Sequence, residues 1–489
     1  MKKLLISAVA VGSLFAQPTI EDLQKQLQAL QAQIQELKKA QETQAKEVKE
    51  VKNTQQAQDE RYMKKVAPMA SNNHLFWNLD LRSTYDHVAQ KVSAYQDRAG
   101  NHDSKTYHNN ILTNRVILTG VAKPSDNLKA TVRIEANNIY GMQSETTNSD
   151  NTNSSWVANE TPDDTTVRVK EAFFNYHFGE DGEYMFSAGR RPATEGYPAN
   201  LREGDSPSSP LAHLINMEFD GFSFEISNEA LPDIFSDYGT WLKFCAGRGY
   251  SSSKGKWQSD GTSYSKDDKD NMDFAGFILV PYDNGQYSVW TETVWAWHVQ
   301  GYQMDMVTQK STMKDFGDYF GENIMFRADG IGDGINDFLD DTKAFVSLAI
   351  SKTSTNGEYA YTNTREGNIV AKSHTGHSIW IGADMPAGED GRFGVSFVKG
   401  SKYWKNMTYG EDTLVGSMAA VRGKAYDVYY NKEIIPHLTA GLRYTYLDYE
   451  HPGSDGFFGM MMDSDTYTKY KMPYVESASD LRAYIRYQF

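Results

Sequence analysis

The chain closes on Asp480-Leu-Arg-Ala-Tyr-Ile-Arg-Tyr-Gln-Phe489, where Leu481, Ala483, Ile485, Tyr487 and Phe489 alternate with Asp480, Arg482, Tyr484, Arg486 and Gln488. Side chains of a strand point to opposite faces with period two, so one face here is apolar and the other charged. The same period recurs upstream. Leu75, Trp77, Leu79 and Leu81 alternate with Asn78, Asp80 and Arg82, and Leu128, Ala130, Val132 and Ile134 with Lys129, Thr131, Arg133 and Glu135. Leu438, Ala440, Leu442, Tyr444 and Tyr446 alternate with Thr439, Arg443 and Thr445. A soluble β-sandwich would alternate too. Three features favour a membrane wall instead: strands of roughly 9–12 residues, paired charges on the polar faces, and short turns alternating with long polar loops. The fold class read from this pattern is all-β, an antiparallel transmembrane β-barrel.

Composition removes the other classes. The mean hydropathy of −0.61 and the lack of long apolar runs exclude a bundle of membrane-spanning helices. Aromatic residues at 13% and only 14 prolines exclude disordered and collagen-like chains. Cys245 is the one cysteine, which excludes a disulfide scaffold and any multi-cysteine metal site.

Ahead of the strands the pattern differs. Lys2 and Lys3, the apolar run Leu4 to Leu14, and Phe15-Ala16 form an expected signal peptide over 1–16, which places the mature protein outside the cytoplasm. Ile20, Leu23, Leu27, Leu30, Ile34 and Leu37 then recur at spacings of three and four, and the register continues through Gln41, Gln44, Val48 and Val51. That 3.5-residue period predicts a coiled coil over 17–67, whose seam needs partner helices, most simply from further copies of the chain. A homotrimer joined through coiled coil and barrel is the expected assembly. Residues 68–489 are the expected barrel.

Both ends of such a barrel face one side, so its strand count is even. Sixteen strands fit, running from 75–86 to 478–489, with 213–228 read as one strand bulged at Asp220-Gly221 and 358–364 as another. A hairpin at that bulge would change the count, and fourteen or eighteen stay open. Short turns fall at 123–127, 179–182, 281–285 and 386–391. Long loops near 87–110, 140–166, 191–212, 250–271, 300–342, 403–420 and 449–477 fall on the opposite side.

The final strand, ending on Phe489 after alternating apolar residues, resembles the assembly signal of Gram-negative outer-membrane proteins. Together with the signal peptide and the heptads, it makes the chain similar to outer-membrane porins with an N-terminal coiled coil. The segment Gly189-Arg-Arg-Pro-Ala-Thr-Glu-Gly-Tyr-Pro-Ala-Asn-Leu-Arg202 resembles an uncharacterised porin-like family of epsilonproteobacteria. The resemblance implies an outer-membrane location with the coiled coil in the periplasm. It further implies contact with lipid, lipopolysaccharide and the assembly machinery, and passive diffusion of small hydrophilic solutes or ions.

Charge suggests where solutes would be sorted. The formal net charge is −15, and residues 140–166 carry five acids with no Lys or Arg. An acidic balance and an extracytoplasmic location disfavour nucleic acid as a partner. Inward positions on the last two and first three strands include Arg82, Arg115, Lys129, Arg133, Arg443, Arg482 and Arg486, a basic wall once the barrel closes. Loop 191–212 holds Glu195, Glu203 and Asp205. Folded inward, its acids would face that wall and set a transverse field across an eyelet.

Catalytic motifs are lacking: the chain has neither a Gly-x-Ser-x-Gly elbow nor a His-Glu-x-x-His zinc motif, so no enzyme is expected. Asp329, Asp333, Asp337 and Asp340 resemble part of a calcium loop, although Ile331 occupies a ligand position. A loosely held calcium ion there is the one cofactor candidate. The competing reading is a plugged barrel that tethers the envelope or acts as an adhesin, which the inward aromatics Phe173, Trp241, Trp290 and Trp380 would suit.

Overall fold

Alternation along each strand becomes two faces of a closed wall. In the computed structural model, the described residues are 75–95, 102–140, 167–250, 271–308, 310–332, 334–408, 410–453, 465 and 474–489. The expected signal peptide and coiled coil, with the seam from Ile20 to Val51, lie outside them, as does nearly all of the acidic loop 140–166.

The strands are Leu75–Tyr95 (β1), His102–Ser125 (β2), Leu128–Ile139 (β3), Arg168–Phe178 (β4), Tyr184–Arg191 (β5), Phe219–Ile226 (β6), Trp241–Tyr250 (β7), Met272–Asp283 (β8), Tyr287–Trp297 (β9) and Gln300–Asp305 (β10). There follow Ser311–Asp315 (β11), Gly317–Asp329 (β12), Lys343–Thr355 (β13), Tyr359–Thr364 (β14), Gly367–Val370 (β15), Thr375–Pro386 (β16), Gly391–Gly400 (β17), Lys424–Ile435 (β18), Leu438–Asp448 (β19) and Tyr474–Gln488 (β20). Sixteen of these form one closed antiparallel barrel, leaving out β10, β11, β14 and β15. Closure brings Arg82 of β1 opposite Arg486 of β20. Leu79 and Phe489 exchange two backbone hydrogen bonds of 2.8 Å, so the terminal residue extends the closing ladder. Ile485 is 53% exposed on the outside, whereas Tyr484 and Arg486 on the inner face are 6% and 2% exposed. Val132, Phe222, Trp295 and Leu442 continue the exposed apolar exterior.

The sixteen-strand expectation holds through two errors that cancel. Residues 317–329 were expected within a long loop, but they form barrel strand β12, between β9 and β13. Residues 358–364 were expected in the barrel, but β14 pairs instead with β15 and, in parallel, with β10. The resulting four-stranded sheet, ordered β11-β10-β14-β15, covers a small core of Phe316, Tyr361 and Ile369. β12 and β14 have similar periodicity; partner choice separates them, and partner choice is nonlocal.

The bulged strand 213–228 is also corrected. Only Phe219–Ile226 is strand, in unbroken register with β5 from Arg191↔Phe219 to Tyr184↔Ile226. Ile215 and Met217 belong to the preceding connection and are buried with Leu214 in an apolar cluster. The turn carrying Asp329 to Asp340 joins β12 to β13 at the short-turn end, where Gln286 Nε2 donates to Gly330 O at 3.0 Å. The parity layout had put it at the opposite end, because it missed β12.

Candidate functional site

Three like-charged pairs stand directly opposite one another on neighbouring strands: Arg82↔Arg115, Arg82↔Arg486 and Arg443↔Arg482. Such juxtapositions are destabilising unless counter-charge is brought to them. Part of it comes from the wall. Asp80 accepts hydrogen bonds from Arg486 at 2.5 and 3.0 Å, and Asp86 accepts one from Arg482 at 2.6 Å. The remainder comes from two connections folded into the barrel, 192–218 (L3) and 401–423 (L7).

L3 brings Glu195, Glu203 and Asp205 to the arginines. Arg82 donates to Glu203, which also accepts from Arg486 at 3.1 Å and Arg115 at 3.4 Å. Asp205 takes both terminal nitrogens of Arg486, at 2.8 and 2.9 Å. Glu195 lies 3.6 Å from Arg133 and 3.8 Å from Arg115. L7 contributes Asp412, which accepts from Arg82 and, at 2.8 Å, from Arg482, while its backbone carbonyl accepts from Arg443 at 2.9 Å. Arg202 of L3 donates to Glu411 of L7 at 2.5 Å, tying the two loops together. Lys129 alone of the expected wall stands apart, exposed near the short-turn end of β3 and opposite Asn175.

This geometry changes the expected eyelet. The acids of L3 do not face the arginines across an open gap; they touch them. Attraction between in-register arginines and the nearest loop carboxylates closes the distance, and the pairs become a seam. Burial opposes the charged forms of Glu203 and Asp412, yet the surrounding guanidinium groups hold both carboxyls below their usual range.

On the opposite side of the lumen the contacts are apolar. L3 places Leu211, Tyr197 and Leu201 in a buried cluster with Met325, Phe345 and Trp380 of the wall, to which L7 adds Val415 and Met418. Trp404 of L7 runs directly over β16: a Cβ at Gly376 would stand 2.4 Å from its backbone. Gly376 thus makes room for the close approach of a second chain segment. Of the inward aromatics, Trp380 is buried here, and Trp241 and Trp290 meet edge to face at 5.1 Å.

His213 anchors L3 between these halves. Its ring nitrogens lie 2.9 Å from Ser347 Oγ and 2.9 Å from Ser378 Oγ, with Trp380 and Trp404 packed on the ring. Burial pulls its pKa down to about 3, so the imidazole is neutral. A depressed histidine stabilises fully above its unfolded pKa, near 6.5, and loses that contribution as pH falls toward 3. Glu218, pushed up by burial to about 8, acts in the opposite direction above its own unfolded value. The effect of His213 is therefore isolated as a difference from His213→Gln. Between pH 7 and pH 5 the wild type is expected to lose about 2 kcal/mol relative to that variant, measured by denaturant unfolding. An equal pH dependence in both would remove His213 from this role.

Sequence reasoning found the wall and L3 but missed Asp86, Asp412, Glu411, Arg202 and Trp404. A usable signal is present in 403–420, placed among the long outer loops: it carries Trp404, Met407, Val415 and Met418, which an outer loop in water would not need. Among the described residues, no three His, Cys, Asp or Glu side chains are arranged to hold a metal ion. Asp329 pairs with Arg327, Asp337 and Asp340 lie on a short helix, and Asp333 is outside the described residues.

The family model described as "Protein of unknown function (DUF3373)" matches residues 105–489. No curated protein matches the chain. Among solved structures, an anion-selective porin from Comamonas acidovorans is 14% identical, with 85% of this chain and 99% of that one covered and a TM-score of 0.43. OmpF of Salmonella typhi, in complex with daunomycin, is 12% identical over 86% and 99% of the two chains, with a TM-score of 0.45. OprB of Pseudomonas putida is 10% identical over 86% and 95%, with a TM-score of 0.44. None of these likenesses assigns a solute to this chain.

Proposed function

This chain belongs to the DUF3373 family, a family of proteins of unknown function, and we propose that it is a porin-like barrel of the outer membrane. In this reading it passes small hydrophilic solutes or ions, without catalysis, along a restricted route beside the L3–L7 seam. The observation that carries it is the contrast between the two faces of one closed wall. Ile485 and Leu442 are exposed outside, and a ladder of arginines and carboxylates lies inside. An apolar exterior suits lipid, and a charged interior suits a water-filled path. The short turns then face the periplasm, with the expected coiled coil, and the long connections face outward. A homotrimer, contacts with lipopolysaccharide, recognition of the Phe489 strand by assembly machinery, and kinship with the epsilonproteobacterial porin-like family belong to the same proposal.

The second reading, a plugged barrel serving as an envelope tether or adhesin, draws support from the apolar half of the lumen. There Trp404, Leu214 and Met418 are almost wholly buried. Planar-bilayer conductance of the purified full-length protein decides between them. Discrete open steps, in linked triplets for a trimer, are the expected result. A silent bilayer, with folding shown by heat-shifted gel mobility, would overturn the channel and leave the tether.

A further inference from the structure

The seam has a wet side and a dry side, and the charges are not shared evenly between them. The side chains of Arg115, Arg82, Arg486 and Arg482 are 1%, 2%, 2% and 3% exposed. Those of Asp412, Glu195 and Asp205 are 15%, 18% and 21% exposed. The loops have laid carboxylates over the arginines of β1, β2 and β20, so a solute beside that stretch of the seam meets acids first; Arg133 of β3, 19% exposed beside Glu195, is the one seam arginine that shares their exposure.

Between L3 and L7 lies a cavity of about 30 Å³, room for about two waters. Five carboxylates line it, from Glu195, Glu203, Asp205, Glu411 and Asp412. Arg202 and Arg443 also reach it, but each is already turned to an acid or a carbonyl of the loops. A separate feature points to a cationic visitor. Asn200 Oδ1 and Glu411 Oε2 are buried without a hydrogen-bond partner, and both residues line this cavity. Buried acceptors left unmatched are costly, and a hydrated cation or its water satisfies them. The ring of acids is too loose to hold a metal ion tightly, as a site of passage requires.

We propose that the route beside the seam prefers small hydrated cations over anions, with Glu195, Asp205 and Asp412 setting the sign and the arginines acting as their fixed counter-charge. This rests on the channel reading above. The test is the reversal potential of the full-length protein in a planar bilayer under a KCl gradient. The expected result is potassium preferred to chloride, with the permeability ratio falling by about threefold or more in Glu195→Gln/Asp205→Asn. Glu195→Gln alone, whose ion-pair contacts are the long ones, keeps the test available if the double variant misfolds, and its ratio should fall in the same direction. Glu389→Gln, in the exposed turn between β16 and β17, should leave the ratio unchanged. Chloride preference in the wild type, an unaltered ratio in both Glu195 variants, or an equal shift from Glu389→Gln would overturn the cation inference while leaving a channel. A bilayer with no steps would overturn the channel itself.

Discussion

Replacing Arg82 and Arg115 together by alanine is expected to release L3 and L7 from the wall and widen the lumen. Glu203 would keep only Arg486 as a guanidinium partner, and Asp412 only Arg482. Removing one side of a buried ion pair strands the other charge, which typically costs about 3–5 kcal/mol. The loss falls on loop docking, because the barrel ladder does not depend on these side chains. Single-channel conductance should rise several-fold while heat-shifted gel mobility persists. The informative companion removes both sides: Arg82→Ala/Arg115→Ala/Glu203→Gln/Asp412→Asn. With fewer stranded charges, it should unfold at higher denaturant than the double variant. Equal stability in the two variants, with conductance unchanged from wild type, would show that the seam does not hold the loops.

Trp404→Ala carries the next largest effect. The indole is 1% exposed, packs on His213 and donates from Nε1 to Ala419 O at 2.8 Å, which fixes both ends of L7. Truncating so large a buried aromatic costs about 3–5 kcal/mol through lost burial and the cavity left behind. Gly376→Ala attacks the same contact from the wall side, where the added methyl would meet backbone rather than a flexible side chain. Both variants should let a protease cut L7 in folded, membrane-inserted protein that resists in the wild type. Continued resistance in both would place the anchor of L7 elsewhere.

How legible these features were depended on the range of the interactions behind them. The final strand was readable because two faces alternate over ten residues, and the structure puts Ile485 outward and Arg486 inward. The alternation from Leu128 to Glu135 was readable for the same reason and lies within β3, Leu128–Ile139. The stretch 213–218 misled, since Ile215 and Met217 keep strand spacing while packing as loop inside a barrel, and spacing does not distinguish lipid from a buried loop. The basic wall was visible as inward arginines on neighbouring strands. The direct contact of Asp412 with Arg82 and Arg482 was not, because the acid is 330 and 70 residues away in sequence.

The parallel pairing of β10 with β14 has a consequence for how this molecule changes over generations. Each strand lies in a different long connection, and Met304 and Asp305 are matched to Tyr361 and Thr362. An insertion in one connection slips the register of the other and exposes Phe316 and Tyr361 beneath. These two segments can therefore drift only as a pair. The mouth of the barrel should show one sector where lengths are inherited together across relatives, beside others where each connection varies alone.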